Sequence, residues 1–227
     1  QRAVGYQTQE TRPTWNKLQE IGIRFLRKSI RNIPVSISNL RGCTDAVAPG
    51  FLLPAGVRRW TDPRSDIMVE WVWPSTMTPD IRPPATRFHK IDPAINVPAN
   101  SQFKAMLKTV PVVFFVHGGA FCITKTYTHR IFSYPLAKMA QCVVYCVDYR
   151  RAPEAKWPCQ LDDTLRAYQE LVGIHDVPPE NIVLCGDSAG GSLCCSLMLS
   201  LKEHNKVHGK LSDNRYRMPS GAALICP

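Results

Sequence analysis

A mostly parallel α/β sheet flanked by helices is the fold class this sequence predicts, on three observations. Short apolar runs alternate with segments of helical spacing through the second half of the chain, the pattern of βαβ units with right-handed crossovers. One run, Ile182 to Cys185, leads straight into Gly186-Asp187-Ser188-Ala189-Gly190-Gly191. Another, Val110 to Val116, ends in His117-Gly118-Gly119-Ala120-Phe121.

The first of these junctions is a strand, a Gly-x-Ser-x-Gly turn and a helix that opens at the serine. So tight a turn requires minimal side chains at Gly186 and Gly190, and it pushes Ser188 out where a substrate carbonyl can reach its hydroxyl. Ser188 is therefore the candidate nucleophile, against a plain reading as a helix N-cap. The amide of Ala189, in the first helical turn, points to where negative charge would develop. The second junction places two glycines after a buried strand. Gly118 and Gly119 are expected to expose amides there, completing an oxyanion hole with Ala189; the plain reading is a glycine turn.

Three blocks, His117-Gly118-Gly119-Ala120-Phe121, Asp148-Tyr149-Arg150-Arg151-Ala152-Pro153-Glu154 and Gly186-Asp187-Ser188-Ala189-Gly190-Gly191, resemble the hormone-sensitive-lipase-like family of α/β-hydrolases. The match runs from about Ile67 to Pro227. It departs from the family pattern at Arg151, where leucine is usual, and at Ala120, which replaces a third glycine. The resemblance implies an α/β-hydrolase fold and cleavage of carboxylic esters, of short or medium acyl chain, through an acyl-enzyme on Ser188. It implies no cofactor and no metal.

The residues around the elbow sort by chain order. A catalytic triad in this fold runs Ser, then Asp or Glu, then His. His117 precedes Ser188 and is assigned to holding its own loop, and Asp187 to organising the turn. His204 and His208 follow the serine, but at the end of its own helix and in the next loop, away from the strand edge. Arg150 and Glu154 are expected to pair. A serine hydroxyl needs a base, and the family places acid and histidine after later strands. The chain is therefore expected to be incomplete at its C-terminus and inactive by itself. Two alternatives stay open: a ligand-binding receptor on the same fold that has lost the base, and an inactive truncated product.

The chain in order divides into an accessory or cap region, residues 1–66, and a core, residues 67–227. Within the first, Leu18, Ile21, Phe25, Leu26, Ile30 and Ile33 fall at helical spacing among basic residues. That helix reads as a packed cap over the site or as a contact with an anionic membrane surface. Residues 40–66, with Gly42, Pro49, Gly50, Pro54, Gly56 and Pro63, read as a loop-rich connection. Ile67 to Trp73 alternates as a strand, and the Pro-rich stretch 74–99 reads as an extended insertion. Helical spacing follows at 129–140, starting or kinking near Pro135, and at Leu161, Leu165, Tyr168 and Val172. Leu193, Leu197 and Leu201 continue a buried helix, and Gly221 to Cys226 is a last strand.

Composition limits the partners. The net charge of +10 belongs to the N-terminal part and a late loop: residues 1–109 hold 16 basic and 8 acidic side chains, residues 110–200 hold 7 and 8, and residues 201–227 hold 5 and 2. A solvated basic surface accounts for it, and no nucleic-acid motif accompanies it. The nine cysteines have no metal-ligand spacing. Cys142, Cys146, Cys185, Cys194 and Cys195 lie within strand and helix patterns as small hydrophobes, which favours a reducing, cytoplasmic setting. Oligomeric state leaves no mark on the sequence.

Overall fold

The computed structural model describes residues 36–47, 56–62, 67–77, 100–208 and 213–227. The expected helix at 15–33 and residues 78–99 of the Pro-rich stretch lie outside them. The chain divides into two compact units, residues 1–42 and 43–227. Residues 36–42 of the first open helix α1 (Ile37–Val47), where the Ser36 hydroxyl accepts from the Asn39 amide at 3.1 Å.

The second unit carries six strands among the described residues: β1 (Val57–Asp62), β2 (Met68–Pro74), β3 (Val112–Val116), β4 (Val143–Asp148), β5 (Ile182–Asp187) and β6 (Gly221–Ile225). Their spatial order is β1-β2-β4-β3-β5-β6. β4, β3, β5 and β6 run parallel, whereas β1 and β2 are antiparallel additions at one edge. Helices α3 (Arg130–Ala140), α4 (Cys159–Gly173) and α5 (Ala189–His208) follow β3, β4 and β5. The expected mostly parallel sheet is thus present.

The central strands read as unbroken apolar runs because both faces are buried. Phe114, Tyr145 and Leu184 pack on one face with Trp71, Tyr168 and Leu193. Val113, Phe115, Val144 and Cys185 pack on the other with Tyr134 and Ala137. Trp71 anchors the first face, meeting Tyr145 edge-on at 4.5 Å and Phe103 at 5.5 Å between ring centroids, the arrangement the ring quadrupole favours.

Four elements differ from the expectation. Val57–Asp62, expected as loop, is a strand. Arg58 and Arg59 obscure its alternation, yet Arg59 lies beside β2 with Nη1 3.4 Å from Glu70. α2 (Ser101–Leu107) was not foreseen. Its cap is legible in retrospect: Asn100 Oδ1 accepts from the Gln102 and Phe103 amides, and Phe103, Met106 and Leu107 supply a buried stripe. α3 begins at Arg130 and carries Pro135 inside it, so the proline does not set its start. α5 extends to His208, which puts His208 on the helix rather than in the next loop.

Candidate active site

Parallel pairing puts the two functional loops side by side. Val116 of β3 is in register with Gly186 of β5, so the chain leaves both strands at the same sheet edge. Ser188 follows β5 with φ +49°, a left-handed backbone that costs a non-glycine residue about 1–2 kcal/mol. α5 begins at the next residue. A Cβ on Gly190 would collide with the Val116 carbonyl, and one on Gly186 would lie 2.5 Å from the Gly190 carbonyl carbon. A side chain at either glycine would therefore displace the elbow. The Ser188 amide is tied to the Ile225 carbonyl of β6 at 2.8 Å, and its side chain is exposed. Ser188→Gly, which removes the left-handed penalty, is expected to raise stability by about 1 kcal/mol; chemical denaturation with an unchanged slope would measure it.

The Gly118 amide, expected in the oxyanion hole, instead donates to Asp187 Oδ1 at 2.9 Å. In this structure the Gly118 amide is thus directed at the Asp187 carboxylate. A Cβ there would also clash with Asp187, so the glycine serves the approach of the two loops. The amides of Gly119, Ala120 and Ala189 have no acceptor among the described residues. Gly119 has φ +115°, and Ala120 and Phe121 follow at +50° and +60°, a run of left-handed backbone.

Behind the loops lies a network of two histidines and two aspartates. His129 Nε2 is 3.4 Å from both oxygens of Asp187. Burial pushes the Asp187 carboxyl up, but hydrogen bonds from His129 and Gly118 outweigh it, leaving the group below its ordinary value. His117 is fully buried and stacked on Tyr149, 4.2 Å and 12° between rings. Its Nδ1 is 2.8 Å from the Gly118 carbonyl and its Nε2 is 3.4 Å from Asp148. The Tyr149 hydroxyl donates to the His117 carbonyl at 2.9 Å. Burial likewise raises Asp148, while His117 and the Thr126 amide bring it below the ordinary value. His117 thus contacts its own loop at Gly118, and Asp187 contacts both Gly118 and His129. Sequence reasoning missed His129; a histidine five residues after Thr124 gives no signal of its own.

Asp187 stabilises by being ionised when folded, and the sign of the pH effect follows. A depressed folded pKa contributes stability above the unfolded value near 3.9 that is lost as pH falls through the lower folded value. Asp187→Asn is therefore expected to melt below the parent chain at neutral pH. That gap should narrow as pH falls below about 4. Thermal melts of both proteins from neutral to acid pH measure it, and a gap constant with pH contradicts the assignment.

The remaining expected residues are placed apart from Ser188. Arg150 does not pair with Glu154: its guanidinium is bidentate on the buried Asp163, Nη2 to Oδ1 at 2.7 Å and Nε to Oδ2 at 2.9 Å. His204 stacks on Tyr216 and lies 4.5 Å from His208. The Ser188 hydroxyl has no hydrogen-bond partner among the described residues. None of the nine cysteines forms a disulfide; burial pushes the Cys142 thiol up to about 11 and the Cys194 thiol to about 12, so both are inert hydrophobes. Cys195 is only half-buried. No group of three or more His, Cys, Asp or Glu is placed to hold a metal among the described residues, and no helix among them is long and apolar enough to cross a membrane. A cavity of about 210 Å³ lined by Lys108, Asp176 and Arg217 lies at the opposite end of β5 and touches none of the elbow.

A parallel sheet with a strand-serine-helix elbow beside a glycine loop defines an α/β hydrolase. The family described as alpha/beta hydrolase fold matches residues 113–227, just over half of the chain, and the chain belongs to that family. It is 34% identical over 126 residues to an esterase of Acinetobacter venetianus, covering 56% of this chain and 38% of that protein. It is 28% identical over 155 residues to arylacetamide deacetylase of Oryctolagus cuniculus, covering 65% and 38%. In fold it is similar to a crystal structure of an esterase from the bacterial hormone-sensitive lipase family, with a TM-score of 0.65 at 21% identity, over 90% of this chain and 55% of that one. The chain spans less than half the length of the curated relatives it matches.

Proposed function

We propose that this chain carries the nucleophile and the oxyanion donors of a serine carboxylic ester hydrolase of the hormone-sensitive-lipase type. Ser188 Oγ attacks the ester carbonyl carbon, and the carbonyl π pair moves onto oxygen. The amides of Gly119, Ala120 and Ala189 receive that charge. Collapse expels the alcohol and leaves an acyl group on Ser188, which water removes. The observation that carries this reading is the pairing of an exposed, strained Ser188 with three backbone amides that lack an acceptor among the described residues. Donors aimed where charge develops act on the transition state more than on bound ester. Relatives named esterase, lipase and acetyl-hydrolase support the same chemistry.

The proton of Ser188 must pass to a base, and none of the described histidines contacts the hydroxyl. The base and its carboxylate partner belong, in this reading, to residues outside the described set. Soluble esters of short or medium acyl chain are the proposed substrates. The whole enzyme is expected to favour p-nitrophenyl acetate or butyrate over emulsified long-chain triglyceride by about tenfold or more in kcat/KM, ~1.4 kcal/mol of transition-state preference; the reverse preference overturns the substrate class. The unaccompanied Ser188 hydroxyl also favours a second reading, a receptor that binds a ligand in the same loops without turnover. Saturable binding of an ester that is recovered intact would select it.

A further inference from the structure

We propose that Arg151 is a positioning residue that locks the oxyanion loop, acting through Thr124. This rests on the reading of Gly119 and Ala120 as oxyanion donors. The loop holds its shape against its own backbone preference: Ala120, Phe121 and Thr124 all have φ between +50° and +62°, each at a cost of about 1–3 kcal/mol that surrounding contacts must offset. Its internal bonds are few. The Cys122 and Ile123 amides donate to the Gly119 carbonyl at 3.0 and 2.9 Å.

The external ties come from the segment after β4. Arg151 Nη1 donates to the Thr124 carbonyl at 2.8 Å, and the Ala152 amide donates to the Phe121 carbonyl at 2.9 Å. Thr124 passes the constraint inward: its hydroxyl donates to the Gly118 carbonyl at 2.5 Å. The other side of Gly118 is pinned by Asp187, next to Ser188. The chain of contacts therefore runs from Arg151 through Thr124 and Gly118 to the elbow, and Gly119 and Ala120 sit inside it. A charged donor to a carbonyl makes a stronger bond than a neutral one. Leucine at this position could pack but could not hold the Thr124 carbonyl.

Arg151→Leu and Thr124→Val each remove one link while keeping similar bulk. The test is amide hydrogen exchange on the 227-residue chain, with a control in Arg150→Gln, which breaks the ion pair to Asp163 on the neighbouring residue. In Arg151→Leu and Thr124→Val the Cys122 and Ile123 amides are expected to exchange about tenfold faster or more, while β3 amides stay unchanged, as for a local opening. Arg150→Gln should leave the loop amides as they were, and Arg151→Lys, which retains a charged donor, should restore part of the protection. The functional arm is the rate of Ser188 modification by an alkyl fluorophosphonate, expected to fall about tenfold in Arg151→Leu. Loop exchange within twofold of the parent in both variants overturns the proposal. If the parent chain shows no Ser188 modification, the hydrolase reading fails, and the exchange arm still decides the role of Arg151.

Discussion

Gly119→Val is expected to lower the rate of Ser188 acylation or phosphonylation by about 10²–10³, the loss associated with removing one oxyanion donor. The backbone amide survives the substitution, so the effect is one of displacement. Gly119 has φ +115°, a conformation open to glycine and strained for a β-branched residue. Its added Cβ would collide with the Ile123 carbonyl and the Thr124 hydroxyl. The loop must move, and with it the amides of Gly119 and Ala120. Second-order modification rates of parent and variant, with melting temperatures to confirm the fold, measure the effect. An unchanged rate in a folded variant would reduce the loop to a turn and shift the weight to the receptor reading.

Glu70→Ala is expected to cost about 3–5 kcal/mol of stability, the range for removing one partner of a buried ion pair. Glu70 lies on β2 with its side chain 4% exposed, and Arg130 opens α3 at 19%. The Arg130 Nε is 3.1 Å from both carboxylate oxygens, its Nη2 contacts Oε2, and Arg59 Nη1 approaches from β1 at 3.4 Å. One carboxylate thus joins two strands and a helix. Removing it leaves the Arg130 and Arg59 guanidinium groups partly buried without the carboxylate they share. Denaturant unfolding measures the loss, and a change under about 1 kcal/mol would mean the pair is solvated like a surface bridge.

The fold was legible where burial is two-sided and the chain is locally consistent. Val112–Val116 is apolar throughout, and Val143–Asp148 and Ile182–Asp187 are apolar up to their last residues, because both faces of these strands are buried; their alternation with helical spacing points to parallel order. The elbow was legible because its glycines are demanded by contacts within a few residues, Gly186 against Gly190. β1 was hidden because its arginines answer to a carboxylate on the next strand, a pairing that local pattern does not record. α2 was not foreseen, although Asn100 caps it.

The elbow that carries Ser188 was legible in the sequence, and the contacts around it less so. That Gly118 gives its amide to Asp187, 69 residues away, follows from strand register and not from either motif alone. The same holds for His129 against Asp187 and for Arg150 on Asp163 rather than Glu154. Arg151 stood out in the sequence only as a departure from the family pattern. Its contact with Thr124 gives that departure a physical reason.

Mass spectrometry of the chain after prolonged exposure to excess alkyl fluorophosphonate tests the central claim most directly. One adduct is expected, on the peptide that contains Ser188. It should form slowly, because no described residue takes the proton, and it should be absent from Ser188→Ala. No adduct on the parent chain, or the same adduct on Ser188→Ala, would contradict the assignment of Ser188 as a nucleophile.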